Sequence, residues 1–271
     1  MEFDDPFLND YPEVTVLHPD AAPAATDSSA GRSLRLLATV AAAGRALTLA
    51  ELAEQLGLPK PTVHRLCGQL QDSGFLARDL DERSFVVGPA LSRLAFDTLN
   101  HGAARGLRHA VLAELVEQVG ETCNFTTLDG AQVLYLDRVE AHWPLRLTLE
   151  VGSHVPLHAT ASGKLFLALM PAAARDALIG QLTLARMTAE TITDAQALRA
   201  ECAQIAAQGY ADDRGEFITG LIAVAVPVLD AQGRPRAAIA VHAPSARMSL
   251  AGAQQQLPHL LAAAARMRGL L

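Results

Sequence analysis

A chain of 271 residues, half of them apolar, is long for one compact domain and comfortable for two, while its net charge of −7 argues at first sight against a nucleic-acid partner. No apolar run approaches the roughly 18 residues that span a bilayer, and Glu2, Asp4 and Asp5 stand where a signal peptide carries bases, so the chain is read as cytoplasmic with no membrane partner. Cys67, Cys123 and Cys202 are odd in number and far apart, which fits small core residues of a reduced protein and not a disulfide framework or a zinc knuckle.

The charge is unevenly spread. Residues 1–30 hold seven acids and no Lys or Arg, residues 31–105 hold nine bases against seven acids, and the remainder holds thirteen bases against fifteen acids. The first segment carries the whole excess, so the following one is mildly basic and open to phosphate contact.

Taken in chain order, residues 1–28 mix Asp, Pro, Ala and Ser without period and read as a disordered acidic tail. From Ser33 the pattern is helical, with Leu34, Leu37, Val40 and Ala41 on one face. A second helix spans Leu49 to Leu56, with Thr48 before it and Glu51 three residues on, a capping-box pattern. Gly57-Leu58-Pro59 turns the chain into a third helix, to about Asp72, whose buried face is Val63, Leu66, Cys67 and Leu70. Phe75–Arg78 and Ser84–Val87 flank the polar turn Asp79-Leu80-Asp81-Glu82, a β-hairpin pattern. Residues 29–88 thus read as one domain, and residues 89–104, opened by Pro89, as a linker helix carrying Leu91, Leu94, Ala95 and Leu99.

Residues 105–271 read as an α+β domain with a mainly antiparallel sheet. Strands are expected near Thr122–Thr127, Gln132–Val139, Leu145–Glu150, Leu221–Leu229 and Arg236–Ala243. Helices are expected up to about Val119 and over Ser162–Met170, Ala172–Gly180, Asp194–Gln208 and Ala251–Arg268. Hairpin turns fall at Asp129-Gly130 and Asp230-Ala231-Gln232-Gly233.

A joint spacing marks the second and third helices as a helix-turn-helix. Ala53 is small where a second helix crosses closely, Gly57 accepts the backbone that redirects the chain, and Val63 and Leu66 lock the third helix in place. At about 100° per residue, the face opposite Val63–Leu70 carries Pro61, Arg65, Gly68 and Gln69, with Thr62 and His64 at its margins. Arg and Gln there suit guanine and adenine in a major groove. An ordinary solvated face is the bland alternative, and the hairpin that follows tips the balance towards DNA.

Thr48–Ala53, Gly57–Leu66 and Gly74-Phe75-Leu76 resemble the DNA-binding domain of IclR-type regulators. Gly120-Glu121-Thr122, Val133–Glu140, Pro156–Lys164 and Gly209–Asp213 continue the resemblance, which runs from about residue 31 to 268. It implies a winged helix-turn-helix, a linker helix that pairs subunits, and a GAF/PAS-like domain that binds a small-molecule effector. It also implies a homodimer or dimer of dimers on a near-palindromic duplex, with no cofactor and no catalysis. The DNA-binding positions would be Thr48, Lys60, Pro61, Thr62, His64, Arg65, Gln69 and Arg83. The effector-binding positions would be Ala161, Ser162, Gly163, Asp213, Ala223, Ala240 and His242.

Three departures from the family pattern matter. Pro61 stands where a Ser is usual, removing a phosphate-contacting hydroxyl. The wing turn is acidic at Asp79, Asp81 and Glu82. Ala223 stands where Cys is usual, and Ala240 and His242 where Ser is common, so the pocket should take a bulkier or more apolar carboxylic acid than glyoxylate-sized metabolites. The acid's carboxylate would lie at the Ser162-Gly163 N–H groups, with His242 as donor or ion partner.

Other chemistries fare worse. Ser162-Gly163-Lys164 lacks both the earlier glycine and the following Ser or Thr of a phosphate-binding loop. His154, His158 and His242 leave a metal-binding sensor or metal-dependent enzyme as the alternative, although Val155-Pro156-Leu157 argues against the helix that would pair the first two. No Gly-x-Ser-x-Gly is present, and Cys123 reads as a buried thiol.

Overall fold

The computed structural model describes residues 28–79, 82–100, 103–143 and 149–270. The expected acidic tail, the tip of the wing turn at Leu80 and Asp81, and most of the strand expected over Leu145–Glu150 lie outside the described residues. The chain forms two compact units that divide between Leu91 and Ser92.

The first unit holds α1 (Ser29–Ala43), β1 (Leu47–Thr48), α2 (Leu49–Leu56), α3 (Lys60–Asp72), β2 (Leu76–Arg78) and β3 (Ser84–Val87). Ser28 caps α1 by accepting from the Gly31 N–H at 3.0 Å, so the helix starts earlier than its apolar pattern indicates. Its buried face is Leu36, Leu37 and Val40, whereas Leu34, expected in the core, is 67% exposed. Adjacent Leu36 and Leu37 outweigh it and set the helix rotation. Thr48 and Glu51 form the expected capping box, Thr48 N–H donating to Glu51 Oε2 at 2.8 Å and Glu51 N–H to Thr48 Oγ1 at 3.3 Å. Gly57 ends α2 in the left-handed region at φ 64°. Leu52, Val63 and Leu66 are wholly buried together with Leu36 and Leu47. The hairpin forms as expected, and the two-residue β1, too short to show a pattern, completes a three-stranded sheet in the order β1-β3-β2.

The second unit takes in most of α4 (Pro89–Asn100) and continues with α5 (Ala103–Val119), β4 (Thr122–Asp129) and β5 (Gln132–Val139). There follow β6 (His154–Pro156), α6 (Ala161–Leu169), α7 (Ala172–Gln181), α8 (Ala195–Gln208) and β7 (Ala211–Asp213). The unit closes with β8 (Leu221–Leu229), β9 (Pro235–Pro244), α9 (Leu250–Gln254) and α10 (Leu257–Met267). The strands make one antiparallel sheet in the order β6-β5-β4-β9-β8-β7. The single helix expected over Ala251–Arg268 is two, because Pro258 sits in the first turn of α10 and cannot donate back into α9.

Alternation splits the sheet into two apolar faces. Val224, Val226, Ile239 and Val241 point to α5 and α10 and are wholly buried, each such burial being worth about 1.5–3 kcal/mol. Ala223, Ala225, Ala238 and Ala240 point the other way, towards α6 and α8. That second face is walled by methyl groups where the first is walled by branched side chains. Space opens there.

Candidate nucleic-acid interface and ligand cavity

Helix α3 presents Lys60, Pro61, His64, Arg65 and Gln69 to solvent, with Thr62 and Gly68 half-buried between them and its core face. The exposed set thus lies on one side of a helix whose other side is fixed by Val63, Leu66, Cys67 and Leu70. Arg65 donates to Gln69 Oε1 at 3.1 Å, one helical turn away, so a guanidinium and an amide are held side by side on the exposed face. Pro61 lies in the first turn, where its missing N–H costs no helical bond. Thr48 differs from the rest of its set because its hydroxyl is engaged in the α2 capping box. Arg83 is exposed just before β3, beside Glu82, whose φ of 55° is in the left-handed region.

In the second unit the methyl-walled face lines a small, partly open cavity of about 30 Å³. Ala161, Ser162, Asp213, Ala223, Ala240 and His242 all line it. Strand register brings them there: His242 pairs with Ala223, and Ala223 with Asp213, in one row across three strands. Gly163 is not among the lining residues. Its N–H donates to the capping Thr160 Oγ1 at 3.2 Å, and a Cβ there would lie 2.3 Å from Leu157 O. Gly163 is therefore a close-approach glycine that seats α6 against the preceding segment, and the expected ligand contact at its N–H is already taken.

Burial sets the electrostatics of the cavity. Asp213 Oδ1 accepts from the N–H groups of Gly215 at 3.1 Å and Glu216 at 2.7 Å. Burial nevertheless pushes its carboxyl up to about 7, with the Glu216 carboxylate adding to the rise. His242, 6% exposed, is pushed down to about 3 by burial and by the nearby Arg138 cation. The ring is neutral, so of the two expected roles for His242 the ion partner falls away and the donor stays. Asn124, Tyr135, Thr160, Leu149 and Phe217 also line the cavity and were not singled out from the sequence. Asn124 carried a signal, being an amide side chain set between the apolar Cys123 and Phe125.

The metal alternative finds no shared centre. His154 donates to Asp129 Oδ2 at 2.9 Å, His158 to Ala185 O at 2.9 Å, and His242 is bonded to Asn124. Among the described residues no group of three or more His, Cys, Asp or Glu side chains is placed to hold a metal ion. Lys164, buried, sits 2.6 Å from Glu216 and 3.1 Å from Glu201, and so acts as an internal ion partner.

Two family models match: the IclR helix-turn-helix domain over residues 29–80, and the bacterial transcriptional regulator IclR C-terminal domain over residues 98–268. The probable transcriptional regulator SauR of Cupriavidus necator is 43% identical over 242 residues, covering 89% of this chain and 96% of the relative. The transcriptional repressor IclR of Escherichia coli is 30% identical over 220 residues, covering 80% of each chain. A solved IclR homologue from Microbacterium hydrocarbonoxydans, in complex with 4-hydroxybenzoate, superposes with a TM-score of 0.56 at 26% identity, covering 90% of this chain and 99% of that one. The first unit is therefore the helix-turn-helix part and the second the C-terminal part of a DNA-binding transcription regulator, and the chain belongs to the IclR family.

Proposed function

We propose that α3 enters the major groove of a near-palindromic operator as part of a homodimer or dimer of dimers, and that a small carboxylic acid binding in the effector-domain cavity controls that contact. Lys60, His64, Arg65 and Gln69 would carry the DNA contact on α3, with Thr62 at its margin and Arg83 on the hairpin. Ser162, Asp213 and His242 would carry polar recognition of the ligand, with Ala161, Ala223 and Ala240 as its apolar wall. The protein acts in the cytoplasm, by binding linkage and without catalysis.

The observation that carries this reading is the cavity itself. Six residues from α6, β7, β8 and β9 converge on one space, and its polar groups are neutral donors and a carboxyl that burial holds near neutrality. The complex of the M. hydrocarbonoxydans homologue with 4-hydroxybenzoate supports the ligand class. The cavity is small, about 30 Å³, and partly open. A ligand that binds one conformation of the domain better than another shifts its equilibrium, and this is the differential affinity that regulation requires.

The test is a thermal-shift screen of small carboxylic acids against the purified protein, followed by DNA binding at low salt with and without each hit. The expected outcome is a hit that both raises the melting temperature and changes operator affinity. Absence of binding to genomic fragments at low salt, with and without acids, overturns the reading.

A further inference from the structure

The buried row that ends at the cavity contains a residue-by-residue chain of hydrogen bonds whose direction can be settled. Arg138 Nη1 lies 3.0 Å from Asn124 Oδ1, and Asn124 Nδ2 lies 2.8 Å from His242 Nδ1. Arginine has no acceptor, so the Asn124 atom facing it must be the carbonyl oxygen. That choice turns the Asn124 amide nitrogen, which can only donate, towards His242. Nδ1 of His242 must therefore accept, and the proton of a neutral ring sits on Nε2. Nε2 is buried and has no hydrogen-bond partner among the described residues, and its residue lines the cavity.

We propose that Arg138 and Asn124 act as positioning residues that hold neutral His242 as an Nε2–H donor into the cavity, so that the effector must present a hydrogen-bond acceptor, a carboxylate oxygen, at that point. This rests on the effector-domain reading above and specifies how the site recognises its ligand. A buried N–H left unpaired keeps its full desolvation cost, and a carboxylate oxygen placed on it relieves that cost. The site then discriminates: an apolar group or a second donor at this point leaves Nε2–H unsatisfied.

The fold holds the chain of bonds in place. Asn124 pairs with Arg138 on one side and with Ala240 on the other, while His242 is two residues along the same face of β9. Leu136 is an extra residue in β5 between the pairs Phe125↔Asp137 and Thr126↔Tyr135. This bulge reverses the alternation of β5, turning Asp137 to the α5 face, where it meets His109 at 3.1 Å, and Arg138 to the cavity face. Arg138 is anchored at its other end by Glu140 at 3.3 Å. Among the described residues, the charged or titratable groups on this side of the sheet are Arg138 and Tyr135 from β5 and, across Ala223, Asp213 from β7. The Arg138 cation disfavours an imidazolium, so the tautomer is the state that ligand meets across the neutral pH range.

The experiment is long-range ¹⁵N–¹H NMR of the histidine rings in the full chain, assigned by comparison with His242→Gln. The expected ligand-free spectrum shows one neutral ring protonated at Nε2 that does not titrate between pH 5 and 8. In Asn124→Ala the same ring loses its fixed tautomer, while amide spectra report that the fold is kept. An Nδ1-protonated or positively charged His242 at pH 7 overturns the proposal, as does an unchanged tautomer in Asn124→Ala. Benzoate and 4-hydroxybenzoate then serve as probes, with downfield movement of the His242 Nε2 proton as the expected result. Movement of the Ser162 and Ala161 amides with His242 unmoved overturns the contact and leaves the effector-domain reading standing. No movement anywhere in the cavity with either probe overturns both the acceptor contact and the carboxylic-acid reading. Retention of probe binding by His242→Gln, whose side-chain N–H can stand in for Nε2, with loss of at least tenfold in His242→Leu, supports the donor role.

Discussion

At the scale of single residues, Arg65 and Lys60 separate base reading from positioning. Arg65 lies on the exposed face of α3 beside Gln69, whereas Lys60 is the first residue of the helix. Arg65→Ala is expected to cost about 1–3 kcal/mol of operator affinity and to relax base preference at one position per half-site. Lys60→Ala is expected to weaken all sequences alike and to flatten the salt dependence of binding. Affinity measured on operator variants across a salt series distinguishes the two, and equal loss on every sequence for Arg65→Ala would reassign that residue to phosphate contact.

His242 and Asp213 also make opposed contributions to stability. His242 falls from 6.5 to about 3 on folding, so between those values the unfolded chain binds the extra proton and stability rises with pH. Asp213 rises from 3.8 to about 7, so between those values the folded chain binds the extra proton and stability falls with pH. From about pH 4 to 6.5 the two slopes, each about 1.4 kcal/mol per pH unit for one proton, oppose one another. Urea unfolding of His242→Gln should expose the Asp213 slope, stability falling as pH rises towards 7. Asp213→Asn should expose the His242 slope, stability rising up to pH 6.5. Parallel pH profiles for the two variants would sink this account.

At the scale of elements, two tight features fix where the functional residues stand. The Thr48–Glu51 capping box starts α2, and Thr48→Ala is expected to cost about 1 kcal/mol, read as a lower urea midpoint with unchanged m-value. Gly163 is the stricter case, because a Cβ there would meet Leu157 O at 2.3 Å and Leu157 Cα at 2.5 Å. These are backbone atoms and cannot swing aside. Gly163→Ala is expected to destabilise the effector domain by more than 2 kcal/mol, roughly the cost of overpacking a tight core, and to displace the start of α6 that supplies Ala161 and Ser162. A variant as stable as wild type, with the Ser162 amide resonance unmoved, would count against the close-approach role.

At the scale of the whole molecule, each functional set belongs to its own compact unit, so damage to one should leave the other's intrinsic chemistry intact. Without ligand, operator affinity of the Arg65→Ala, His242→Gln double variant is expected to equal that of Arg65→Ala alone within about 0.5 kcal/mol, the usual tolerance for independent sites. A larger gap in a double-mutant cycle would show that the cavity biases DNA binding even when empty.

Local physics made much of this legible in the sequence. The capping box, the left-handed turn at Gly57 and the apolar face of α3 depend on neighbours within a few residues, and the strands Gln132–Val139 and Leu221–Leu229 are marked off by the hairpin turns at Asp129-Gly130 and Asp230-Ala231-Gln232-Gly233. Motif resemblance placed Ala161, Ser162, Gly163, Asp213, Ala223, Ala240 and His242 in one set, and the fold brings all of them but Gly163 to one cavity. What the sequence could not give was the face of β5 on which Arg138 stands. Alternation from Val133 and Tyr135 puts it on the α5 side, and only pairing with β4 inserts the bulge at Leu136 that turns it to Asn124. The protonation state of His242 was equally out of reach, since an isolated imidazole is poised near neutrality and only its burial beside an arginine drives it down. Periodicity is a property of one strand; register, burial and the direction of a buried hydrogen-bond chain belong to several strands at once, and the tertiary structure alone decides them.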